Sequence, residues 1–235
     1  LLYVIIALAI VAADILVSKV WLEKANFKSK TFAANLLRAV VSLTLAFLLK
    51  LPFGFVGASG GLIPFILAVI LFVISGFSLR TAFLENVVEG YLPLRRILRN
   101  PFWPTVLLFG LVVPVGEEFL FRGVVQNLLT RGLGTVVGST LSVIVFTGVH
   151  YGNVKSGFET KEQFMRMLPG RVLITAILTW LYAASGSIWL VVFIHALQDL
   201  GTFLLAHYYT KKLGSQKLPS TFTCEESGTD IESSS

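Results

Sequence analysis

Apolar stretches close to the ~20 residues that a helix needs to cross a bilayer recur along the whole chain, and they constrain its fold more than any other feature. They fall at Leu1–Leu22, Phe32–Phe53, Leu62–Leu79, Phe102–Leu129, Gly134–His150, Arg171–Ser185 and Ile188–Tyr208. In hydrocarbon each backbone N–H and C=O must be satisfied within the structure, and a helix does this inside one segment. The expected fold is therefore all-α: a polytopic transmembrane bundle of about seven spans. Composition agrees, with 55% hydrophobic and 14% charged residues where a soluble domain carries about 25% charged.

Charge placement orients this bundle. With alternating crossings, 14 Lys and Arg fall on one side and only Lys50 and Arg131 on the other, while Lys19, Arg38 and Arg122 lie within spans. The positive-inside rule makes the richer side cytoplasmic and puts the tail from Lys211 there. The net charge of +6 follows from the same rule, with attraction to anionic headgroups. No aromatic-basic repeat points to nucleic acid, and none is expected as a partner. A single cysteine, Cys224, excludes an intrachain disulfide framework and a cysteine metal cluster.

The chain divides into an N-terminal set of spans with a cytoplasmic amphipathic segment (1–101), a membrane core (102–210) and a disordered tail (211–235). The chain begins with Leu, so Leu1–Leu22 reads as a span or as the remainder of a signal-like segment. Asp14 in that span reads as a tolerated isolated carboxylate near other helices, with the lining of a polar interior as the alternative. Thr81–Asn100 and Lys155–Pro169 mix apolar and charged residues and read as amphipathic surface segments. The span from Arg171 is short for a crossing, and is expected to be tilted or partly interfacial.

Chemistry concentrates in the second half. Glu117 and Glu118 are adjacent within an otherwise apolar run, and an ionised carboxylate at mid-bilayer costs roughly 2.5–3.5 kcal/mol even on the lenient insertion scale. Arg122 stands at i+4 from Glu118, the spacing that shares a helical face. It is expected to neutralise Glu118 and leave Glu117, turned about 100° away, free for chemistry. Phe146 and His150, and likewise His195 and Asp199, are also i,i+4 pairs. A lone histidine near a helix end is usually structural, and His207 beside Tyr208 and Tyr209 is set aside on that ground. Three carboxylates, two imidazoles and a guanidinium confined to three spans are harder to explain as packing. His150 lies nearer the cytoplasmic face than Glu117, so tilt or a kink at Pro114 is expected to close the gap.

The triple pattern Glu117-Glu118-x-x-x-Arg122, Phe146-x-x-x-His150 and His195-x-x-x-Asp199 resembles the CAAX protease and bacteriocin-processing enzyme family, also called abortive-infection proteins. That family includes the type II CAAX prenyl endopeptidases. The likeness covers about Phe102 to Tyr208, with Asp199 as a variant where many members carry Asn. It implies intramembrane peptide hydrolysis with Glu117, His150, His195 and Asp199 as catalytic residues and Glu118, Arg122 and Phe146 in support. Glu117 would act as general base on a water held by His150, and His195 would donate to the oxyanion. The implied partners are a peptide or lipidated protein substrate and the lipid bilayer. No cofactor is expected. The alternative is zinc held by Glu117, His150, His195 and Asp199. Two other function classes remain open: a non-catalytic membrane scaffold, and a proton-coupled transporter, which predicts an internal repeat that the sequence lacks.

Overall fold

The computed structural model describes residues 1–22, 27–54, 66, 69–70, 73, 102–155 and 160–214, and every regular element among them is helical. Helices α1 (Leu2–Leu22) and α2 (Phe27–Leu48) come first. A helical run over 102–133 then changes pitch repeatedly, through α3 (Phe102–Leu107), π1 (Leu108–Val112), α4 (Val113–Glu118), π2 (Phe119–Gln126) and α5 (Asn127–Leu133). It is followed by α6 (Thr135–Val149), the single turn α7 (Gly152–Lys155), α8 (Lys161–Ser185) and α9 (Ile188–Gly214).

The run over 102–133 is the axis of the bundle, packed by α1, α2, α6, α8 and α9. Every residue of π2 is buried in consequence. A π segment widens the turn to i→i+5 bonding and re-aims the side chains that follow it. Two such segments bracket α4, whose last residues are Glu117 and Glu118.

The helix ends differ from the expected spans for local reasons. Helix α2 stops at Leu48, not Phe53, because the residue before Pro52 is pushed out of the helical region and Lys50 adopts φ 49°. Arg131 secures this turn by donating to the carbonyls of Leu49 (3.1 Å) and Lys50 (2.6 Å). The run from Phe102 outlasts Leu129 and ends at Gly134, which takes φ 81°. In the α5–α6 hairpin a Cβ on Gly138 would sit 2.5 Å from the Thr130 nitrogen, so glycine permits the close approach.

Helix α8 begins at Lys161, well before Arg171. Thr160 and Gln163 form a reciprocal capping box (2.9 and 3.2 Å), and Pro169 lies inside the helix without ending it. Most of the expected surface segment Lys155–Pro169 is thus the start of a full-length helix, and the expected short span is corrected. Helix α9 continues to Gly214, so 211–214 are helical where a disordered tail was expected. Most of the expected span Leu62–Leu79, the segment Thr81–Asn100 and the tail beyond 214 lie outside the described residues.

Three helical stretches, Thr31–Leu48, Thr135–Lys155 and Lys161–Ser185, are long and apolar enough to cross a membrane; Leu2–Ser18 and Ile188–Gly201 are shorter apolar stretches. Large apolar side chains such as Leu16, Phe47, Ile144, Trp180 and Phe193 face outward, and a surface this apolar demands a lipid or protein cover. The chain is an integral membrane protein.

Candidate active site

Three helices bring the motif residues together, and Glu118 is their hub. Its side chain is fully buried, a position that an ionised carboxylate occupies only with close partners. Arg122, one turn on, places Nε 3.1 Å from Glu118 Oε2. His195 of α9 donates from Nδ1 to Glu118 Oε1 at 2.7 Å. The i+4 spacing anticipated the arginine contact, but not the bond to a histidine 77 residues away.

Arg122 is itself wholly buried, with its guanidinium carbon 4.2 Å from the centroid of the Phe146 ring. This cation–π stacking ties π2 to α6. Phe121 meets the same ring edge-on at 4.7 Å. Phe146 also packs on His150, with ring centroids 4.7 Å apart.

His150 Nδ1 lies 2.9 Å from the Phe146 carbonyl oxygen. A carbonyl only accepts, so Nδ1 carries the proton and Nε2 is the acceptor of the neutral ring. His195 is held between two carboxylates, since its Nε2 lies 3.7 Å from Asp199 Oδ2. Glu117 is half-buried and within Coulombic range of Arg38, Arg122, His150, His195 and Asp199. The antiparallel run of π2 against α6, fixed at Arg122 on Phe146 and at Thr130 on Gly138, brings the Glu117-Glu118 level to His150. The depth gap expected from the spans is closed by this register.

Of the four residues named as alternative zinc ligands, His195 has its Nδ1 engaged by Glu118; among the described residues no group of three or more His, Cys, Asp or Glu is arranged to hold a metal ion.

Asp14 is not isolated. Arg38 of α2 grips it through Nε (2.7 Å) and Nη2 (3.0 Å), and also donates to Ser18 Oγ (3.3 Å) and Asn35 Oδ1 (3.2 Å). Asn35 in turn packs on Gly116, where a Cβ would sit 2.6 Å from its Oδ1. The N-terminal helices thus place a part-buried ion pair beside the chain that carries Glu117. The signal was present as two opposite charges in successive apolar spans.

A family model described as Type II CAAX prenyl endopeptidase Rce1-like matches residues 99–201. No curated protein and no solved structure matches the chain. The matched stretch begins just before α3, ends within α9 and contains all seven motif residues, so over residues 99–201 the chain is similar to the Rce1-like type II CAAX prenyl endopeptidases.

Proposed function

We propose that this membrane endopeptidase hydrolyses a peptide bond of a prenylated or leader-bearing, membrane-associated peptide, and that Glu117 activates the attacking water. The observation that carries this assignment is the occupation of Glu118. With its oxygens facing Arg122 and His195, it has no role as a mobile base, whereas Glu117 is half-buried and near both imidazoles.

Glu117 takes a proton from a water whose second O–H donates to His150 Nε2. The water oxygen bonds to the scissile carbonyl carbon, and the carbonyl π pair moves onto oxygen. His195, oriented by Glu118, offers Nε2–H to that oxyanion, a donor worth about 2.7–4 kcal/mol when preorganised. The pair then returns, the C–N bond breaks, and the proton on Glu117 passes to the departing amine. Asp199 orients His195 from the side of Nε2. In members with Asn at this position the amide can donate to the oxyanion as well, which an ionised Asp199 does not do.

In this reading Glu117, rather than a metal ion, activates the water. The bundle crosses the membrane about seven times with its C-terminal tail in the cytoplasm, as the distribution of Lys and Arg argues. In a bacterial host this would be the plasma or inner membrane. The experiment is peptidomics of membranes carrying wild-type protein against Glu117→Gln. Peptides that vanish with the variant name the substrates; identical peptide sets refute the assignment.

A further inference from the structure

A polar column that the proposed chemistry does not use runs through the bundle from the hub at Glu118. On the axis helix, Arg122 and Gln126 follow Glu118 at successive four-residue steps. On α6, Ser139, Ser142, Phe146 and His150 lie at i, i+3, i+7 and i+11, one helical face. The contacts Arg122 to Phe146 and Thr130 to Gly138 share one antiparallel offset, so Gln126 stands level with Ser142 between them. Helix α8 closes the third side: Gln126 Nε2 donates to the Thr179 carbonyl at 3.0 Å.

These side chains are shut off from the surface, with exposures of 0% for Arg122, 2% for Gln126, 1% for Ser142 and 2% for Thr179. Yet Arg122 Nη1 and Nη2, Gln126 Oε1, Ser142 Oγ and Thr179 Oγ1 make no hydrogen bond among the described residues. Each such atom left bare costs about 1–3 kcal/mol, and the guanidinium more. Packing offers no reason to gather them in one column. Ordered water does, because a buried water makes about three hydrogen bonds to such groups.

We infer that Arg122, Gln126, Ser142 and Thr179 bind a file of water molecules extending from Glu118 toward the half-buried Ser139 at the Gly134 end, and that this file replenishes the water consumed at Glu117. The supply role rests on the hydrolase assignment above; occupancy of the file by water does not. Hydrolysis removes one water per turnover, and an internal store adjoining Glu118 restores it from within the bundle.

Two measurements on the full chain in lipid test this. A structure at a resolution that shows ordered water should place solvent peaks within hydrogen-bond distance of Arg122 Nη, Gln126 Oε1 and Ser142 Oγ. Direct pairing of those atoms with no solvent between them overturns the proposal. Kinetically, Ser142→Ala and Thr179→Val each remove a hydroxyl without adding bulk. The double variant should lower kcat about tenfold at unchanged KM, with no loss of thermal stability. An unchanged kcat overturns the supply role, as would a fall explained by unfolding in both single variants. Should the wild-type protein cleave nothing, the hydrolase assignment fails, and the solvent peaks still decide whether the file exists.

Discussion

Glu118 and His195, 77 positions apart in sequence, are joined by a 2.7 Å hydrogen bond inside the bundle, and the same carboxylate faces Arg122 at 3.1 Å. One buried anion therefore sets the orientation of a histidine on α9 and balances a cation on π2. Of the two adjacent glutamates, Glu118 is built into the scaffold, and Glu117 is the one proposed to act on water.

Glu118→Gln should unfold the core rather than only slow the reaction. Removing one member of a buried ion pair costs about 3–5 kcal/mol because the partner charge is left uncompensated. Thermal unfolding in detergent should show a much lower midpoint than wild type. An unaltered midpoint would mean that Arg122 has another counter-charge.

Arg122→Lys should also be poorly tolerated. Lysine keeps the charge but loses the planar face that lies on Phe146. The expected stability loss is on the order of 1–2 kcal/mol. Phe146→Leu in an Arg122→Lys background should then cost little more, since the coupled contact is already gone. Simple additivity of the two losses would contradict the stacking.

The Asp14–Arg38 pair should behave as a unit. Asp14→Asn or Arg38→Met alone leaves a charge unpaired between α1 and α2, whereas the double change removes both charges. Denaturation of the double variant should fall closer to wild type than either single variant does. If its losses equal the sum of the single losses, the 2.7 Å contact carries no coupling energy.

Asp199→Asn should keep activity within about tenfold of wild type, because an amide still accepts from His195 and adds a donor toward the oxyanion. Replacing His195 with Ala should cost about 100-fold or more in kcat. A collapse in the Asn variant comparable to that of the Ala variant would assign Asp199 an essential negative charge.

Much of this site was legible in the sequence, because charge in an apolar span is conspicuous and helical spacing is simple. The pairs at i,i+4 (Glu118 with Arg122, Phe146 with His150, His195 with Asp199) needed only periodicity. What stayed hidden was long-range. No spacing rule links Glu118 to His195, or Asp14 to Arg38, since helix packing sets both. The π segments were equally hidden, because Leu108–Val112 and Phe119–Gln126 have the composition of ordinary apolar helix. Helix α8 was misjudged from composition. Charged residues near Lys161 looked interfacial, but the Thr160 cap and a continuous backbone ladder make them the first turns of one helix.

The central claim is that Glu117 is the base and Glu118 its support. The most direct test is turnover of a synthetic farnesylated CAAX peptide by purified wild-type and Glu117→Gln protein reconstituted in lipid, with thermal unfolding run on both. Cleavage by wild type alone, with the two unfolding midpoints alike, is the predicted result. Cleavage at an undiminished rate by the Glu117→Gln protein would contradict the account.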